Sequence, residues 1–373
     1  MDIGFLSNVV YPFVKGGAEK RIYEIGRRLA AEGHDVTVYG RYYWDGPAVI
    51  DYEGMTYHAV APASELYEDE RRSISEAMSF AARALPDLRR EATNHDVLVA
   101  SQFPYFPVLA ARLSTLGLDV PLVVTWHEVW GEYWREYLGA LAPGGQLVEA
   151  VTANVDHHPV AVSRSTADDL DALRCQDDPI DVVPNGIDVD RIRDIEPADD
   201  AADVLYVGRL SEHKNVDLLI DAFESVAADT DAVMQVVGDG PERDRLEARA
   251  AASTASDRIE FLGFVDDHED VLAYMRAADV FASPSTREGF GITYLEALAA
   301  DCTVIAADHP DSAATDVLGD AAFAVTPSTS ALVDVLERAL QGAEPTGDAD
   351  AVVEAHDWDA VATKALASYK AAR

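Results

Sequence analysis

Glu296 stands in the middle of an apolar run, residues 292–300, which read ITYLEALAA. Ile292, Leu295 and Ala299 recur at helical spacing, and Tyr294 and Leu298 make the far side apolar too, which predicts a helix buried nearly all round. An ionised carboxylate in such a helix is costly unless hydrogen-bond donors meet it. Glu288 lies eight residues earlier. In one straight helix the rise would separate the two by about 12 Å, beyond the roughly 5–9.5 Å of paired glycosidase carboxylates. The spacing therefore argues against a hydrolytic acid/base pair. It favours Glu288 ahead of the helix and Glu296 within it, each accepting hydrogen bonds from different hydroxyls of one ligand. For Glu288 the competing reading is a solvated loop acid.

The segment VGRLSEHKN places Gly208, Arg209 and Lys214 after a strand and before a helix start. Two cations beside helix amides suit a diphosphate. His127 closes the apolar run VVTWH, at a strand mouth where an imidazole can do acid/base chemistry or merely pack. Gly16 and Gly17 open a helix after the first strand and can bring backbone amides close to a phosphate or sugar. That pair is no phosphate-loop motif. GDGPER, 238–243, fails the dinucleotide fingerprint, so no hydride-transfer cofactor is expected. No metal is assigned, because Asp-x-Asp pairs such as Asp188/Asp190 arise by chance in so acidic a chain.

These residues need a frame, and the strand–helix pattern begins twice. Strand-like runs at 3–7, 36–40, 96–101, 122–127, 159–163 and 180–184 surround a helix from about Gly17 to Ala31 in the first half. A second series follows at 204–210, 232–240, 259–264, 280–285, 303–308 and 322–326, with helices between. Short apolar strands alternating with helices imply parallel sheets covered on both faces. The expectation is α/β, two doubly wound, Rossmann-like domains facing a cleft, 1–190 and 191–357. Ligands then bind beyond the carboxyl ends of the strands, where the residues above fall.

Composition narrows the partners. Against 67 Asp and Glu stand 29 Lys and Arg, a net charge of -38, so nucleic acid is excluded as a partner, since phosphate contacts need dense positive charge. The acids are spread over the whole chain, which suits a cytoplasm at high salt, where self-repulsion is screened. The reading is a halophile. Cys175 and Cys302 lack metal-ligand spacing, and no run approaches a membrane span, so a cytoplasmic protein is expected.

The segments GRLSEHKN, VVGDGPERDRLE, VVPNGID and the long run from FLGFVDDHED through REGFGITYLEALAA resemble the retaining glycosyltransferases of family 4, which have the GT-B fold. The likeness is densest across about 180–310 and extends through KGGAEKRIYEIGRRLAAEGHDVTVY. Glu288 and Glu296 match the family's E-x7-E element. The resemblance implies that Glu296 binds nucleotide ribose hydroxyls, so that donors for its carboxylate arrive with the ligand. It also implies that Glu288 and the amides of Gly289, Phe290 and Gly291 meet the donor sugar and phosphate. Arg209 and Lys214 would hold the diphosphate, backbone around Phe264 the base, and His127 the donor sugar. Residues 358–373 resemble the family's closing helix, which crosses back to the first domain. The glycines that usually follow the second Glu are missing from ALAADCTVIAADHPDSAATD, which puts that loop's contacts in doubt.

The expected activity is metal-independent transfer of a sugar from a nucleotide sugar, UDP- or GDP-linked, with retained configuration and no cofactor. An epimerase on the same fold and a non-catalytic sugar-nucleotide-binding protein are the rivals. The acceptor is expected to be a glycan or a lipid-linked phosphate at the inner membrane surface. That expectation rests on Lys15, Lys20, Arg21, Arg27 and Arg28 crowding one loop and helix. The competing reading is that these cations offset Glu19, Glu24 and Glu32.

Overall fold

A computed structural model describes residues 1–14, 17–65, 67–68, 71–200 and 202–373. They divide into two compact units, Met1–Asn185 with Trp358–Arg373, and Gly186–Asp357. The expected division after residue 190 compares with a junction at 185/186.

In the first unit the strands are β1 (Asp2–Leu6), β2 (Asp35–Tyr42), β3 (Val49–Tyr52), β4 (Met55–Pro62), β5 (Tyr67–Glu68), β6 (Arg71–Arg72), β7 (Val97–Ser101), β8 (Leu122–Trp126), β9 (His158–Ala161) and β10 (Asp181–Val182). Eight form one sheet in the order β10-β9-β8-β7-β1-β2-β4-β3, while β5 and β6 pair separately. All pairs in the large sheet are parallel except β3–β4. Every residue of β8, LVVTW, is buried, as a strand covered on both faces requires. The helix Gly17–Ala31 lays Ile22, Ile25 and Leu29 on the sheet. Gly26 permits its close approach, since a Cβ there would lie 2.6 Å from the Met55 sulfur. The closing helix Trp358–Ala371 contributes Trp358, Val361, Ala365 and Tyr369 to the same apolar cluster as Phe5 and Ile25.

The second unit is one parallel sheet of β11 (Val204–Val207), β12 (Met234–Val237), β13 (Ile259–Gly263), β14 (Val280–Ser283), β15 (Thr303–Ala307) and β16 (Phe323–Val325). Their order is β13-β12-β11-β14-β15-β16. Leu219, Phe223, Met234, Val236, Ile305 and Leu332 share its core. Strand order reverses between β11 and β14, so the loops following those strands flank the switch point where doubly wound sheets take ligands. In the first unit the corresponding reversal lies between β1 and β7.

The sequence reading has no counterpart for the hairpin β3–β4. Its turn residues, Glu53 and Gly54, both have positive φ, 51° and 78°, as a two-residue hairpin turn demands. Among the described residues no helix is long and apolar enough to cross a membrane.

Candidate functional site

At the switch point of the second unit, two loops are tied together before any ligand is considered. After β11 a short 3-10 turn, Glu212–Lys214, ends at Asn215 in the left-handed region, φ 51°. The Asn215 amide donates to the Pro284 carbonyl at 3.1 Å, and the Thr286 backbone N–H donates to the His213 carbonyl at 2.9 Å. This brings Lys214 to Glu288: the ammonium and a carboxylate oxygen of Glu288 form an ion pair, both side chains largely shielded from solvent. Glu288 is thus no solvated loop acid. Its carbonyl accepts from the Ala313 N–H at 2.9 Å, which fixes the backbone that carries it.

Glycines let these loops close up. Gly238 has φ 136°, and a Cβ on it would fall 1.9 Å from the Gly208 carbonyl oxygen. Gly208 in turn donates its N–H to the Val237 carbonyl at 3.0 Å. Gly291 caps the helix Ile292–Ala299 with φ 82°. Arg209 is exposed beside Gly208. Phe290 is buried with its ring 5.8 Å from that of His356, so only its backbone is available to a ligand. Phe264 follows β13 and is 70% exposed.

Glu296 lies inside the helix, 4% exposed. The expectation that all its donors arrive with a ligand needs correction. His268, first residue of the helix His268–Ala277, sets its Nε2 2.9 Å from Glu296 Oε1. A carboxylate only accepts, so Nε2 carries the proton in that bond. Glu296 Oε2 is buried and has no partner. One oxygen is held by the protein and the other is left over. His268 was passed over in the sequence because it sits in a polar run, FVDDHEDV, with no apolar neighbour to mark it.

His127 and the glycine pair belong to the first unit. The His127 backbone N–H donates to Gln102 Oε1 at 3.1 Å, linking the loops after β8 and β7. Its Nε2 is shut off from solvent without a partner. Burial, reinforced by the nearby Arg21 charge, lowers its pKa to about 3, so the ring is neutral at ordinary pH. Gly17 is exposed at the helix start, with open space where a Cβ would go. Lys15 and Gly16 lie outside the described residues.

The helix cations do not form the free patch expected of them. Arg21 is 3% exposed, donating to the Val183 carbonyl at 2.9 Å and to the Pro184 carbonyl. Arg27 and Arg28 both pair with Glu24, and Arg28 also with Asp359. The acid-offsetting reading describes them better. No group of three His, Cys, Asp or Glu side chains is placed to hold a metal ion among the described residues.

Residues 188–351 match the family described as Glycosyl transferases group 1, and residues 15–191 match Glycosyltransferase Family 4. A D-inositol 3-phosphate glycosyltransferase of Geodermatophilus obscurus is 31% identical over 327 residues, covering 78% of this chain and 70% of that protein. The chain belongs to the group 1 glycosyltransferases. An alpha-monoglucosyldiacylglycerol synthase of Streptococcus pneumoniae is 25% identical to this glycosyltransferase over 330 residues, 83% of this chain and 72% of the relative. Sucrose-phosphate synthase from Thermosynechococcus elongatus shares its fold with a TM-score of 0.73 at 18% identity, over 99% of this chain and 98% of that one. Anabaena HepE, solved in complex with UDP-glucose, gives 0.72 at 18% identity over the whole of both chains. These two-domain folds are the GT-B architecture.

Proposed function

We propose that this glycosyltransferase takes its sugar from a nucleotide sugar and retains the anomeric configuration without a metal ion. The observation that carries the reading is the half-satisfied carboxylate of Glu296 at the switch point of the second unit. Two ribose hydroxyls would supply the donors that Oε2 lacks. The Lys214–Glu288 pair prepares the next step. A diphosphate arriving beside Lys214 and Arg209 shares the ammonium, and Glu288 is then free to accept from a sugar hydroxyl. Charge growing on the leaving diphosphate is stabilised in place by these cations and by backbone amides of Gly289 to Gly291. The leaving phosphate can take the acceptor's proton on the same face, so no side-chain base is required. His127, neutral at ordinary pH, serves as a hydrogen-bonding group toward the sugar. An epimerase needs an acid and a base that change charge over the ring, and a ring held at a pKa of about 3 does not supply them.

The acid-rich composition, a net charge of -38, supports a reading in which the enzyme works in concentrated salt. Its unfolding midpoint should rise from dilute buffer to molar potassium chloride, and a flat midpoint would remove the halophile assignment. For the transfer itself, a panel of UDP- and GDP-sugars is assayed with and without EDTA, and the product anomer is read by NMR. Retained configuration and EDTA-insensitive turnover are expected. An inverted product, or activity that needs added divalent ion, contradicts the proposal.

A further inference from the structure

A cavity of about 230 Å³ opens in the first unit between the start of the helix Ile74–Glu91, the loop after β7 and the helices Tyr133–Leu138 and Ala142–Asn154. Its walls are almost entirely carbon, with Phe103, Tyr105, Trp134, Leu138 and Val148 among them. Two further wall residues, Ile74 and Leu141, are 47% and 70% exposed and stand at its mouth.

Three features separate this place from an ordinary packing gap. The first is charge. Residues 139–154 contain one ionisable side chain, Glu149, and it is 1% exposed. In a chain that is 26% charged, about four would be expected in sixteen residues. The helix Ala142–Asn154 thus presents an uncharged face to the mouth in a protein rich in carboxylates, and that face matches an uncharged occupant. The exposed Leu147 and Val151 continue it along one helix face.

The second feature is the glycine pair Gly144-Gly145. Gly145 is explained by packing, because a Cβ there would meet the Trp134 ring at 2.2 Å. Gly144 is not. Nothing lies within 4 Å of a Cβ at that position, and its φ is not positive. Glycine is an unfavourable helix residue, and Gly144 is among the residues that line the cavity.

The third feature is position. Gln102 holds the His127 backbone, and Phe103, the next residue, lines the cavity and stacks on Trp130 at 5.0 Å. One short loop thus runs from His127 to the apolar wall. We propose that this cavity takes the hydrocarbon chain of a lipid acceptor, whose polar head is presented beside His127. The acceptor assignment rests on the transferase reading, whereas the chain site rests on the cavity alone.

The test is calorimetric binding of n-alkyl β-D-glucosides with four to twelve carbons, below micelle-forming concentrations and at molar salt. Affinity should rise roughly fourfold per added methylene until the cavity is full. Gly144→Leu fills the mouth with a better helix former and should flatten that dependence, while UDP and GDP bind it as they bind wild type. Leu141→Glu should weaken the longest glucosides at least tenfold. A wild type indifferent to chain length, or an unchanged slope in Gly144→Leu, overturns the proposal. So does a dimer in sedimentation that Leu141→Glu dissolves, for then a second copy covers this face. Dodecanoate tests a free fatty acid as the source, and its binding more tightly than dodecyl glucoside overturns the acceptor assignment. A chain-length slope in a protein that binds no nucleotide keeps the cavity and sinks the transferase reading instead.

Discussion

Two buried carboxylates, one in each unit, differ in who meets them. Glu149, 1% exposed, accepts from the Tyr105 hydroxyl at 2.8 Å, the Trp130 and Gly131 backbone N–H groups at 2.8 and 3.1 Å, and the Trp134 indole at 3.0 Å. Glu296, 4% exposed, has His268 on one oxygen and nothing on the other. Buried charge persists only where donors answer it. Glu149 is answered fully by the fold, and its work is to hold the aromatic loop after β8 in place. Glu296 is answered in part, and in the proposed reading a ligand's hydroxyls answer the rest. In that reading burial alone does not distinguish the structural acid from the binding one; the protein donors around each do.

The comparison breaks most visibly on stability. Glu149→Ala orphans four donors at once and should cost at least about 3 kcal/mol, seen as a lowered denaturant midpoint, whereas Glu296→Ala should leave the midpoint near wild type. Equal losses in the two variants would erase the distinction. Next in size is nucleotide affinity: Glu296→Ala should lose about 1.5–3 kcal/mol of binding, and a Glu149 variant that still folds should lose none.

A smaller effect sharpens the role of His268. Removing it frees Glu296 to rotate and should weaken nucleotide binding by about 0.5–1.5 kcal/mol, the net worth of one hydrogen bond. His268→Gln, which keeps a donor, should recover part of the loss. No recovery would mean the ring acts through packing.

The smallest effect is in the pH dependence of folding. His127 is neutral in the folded state down to about pH 3, while in the unfolded chain it binds a proton near 6.5. The unfolded state therefore gains protons first, and this contribution to stability is lost as pH falls from about 6.5 toward 3. His127→Asn should show a shallower decline over that window. Identical slopes would mean the ring is not shielded as described.

The second unit was legible because its chemistry is local. Lys214 and Glu288 sit between a strand end and a helix start that sequence spacing marks, and Glu296, a charged residue in an apolar run, announces itself. His268 and Gln102 were hidden because their roles depend on which loop lies opposite, a fact that strand order decides and spacing does not. The helix cations misled for the converse reason. Clustering on one helix shows a patch, but only the fold shows that Arg21 turns inward to the 183–184 carbonyls and that Glu24 absorbs Arg27 and Arg28. The aromatic wall of the first unit gave no signal either, since Phe103 follows β7 whereas Trp130 and Trp134 follow β8, and only the fold brings them together.

The central claim, that the open side of Glu296 is completed by ribose hydroxyls, is tested most directly by a cycle that removes each partner. UDP and GDP, and their 2′,3′-dideoxy counterparts, are titrated calorimetrically into wild type and Glu296→Ala at molar salt. Loss of the hydroxyls should weaken the better-bound nucleotide by at least tenfold in wild type and leave its affinity for Glu296→Ala unchanged. An equal loss in both proteins would show that the hydroxyls and the carboxylate do not meet.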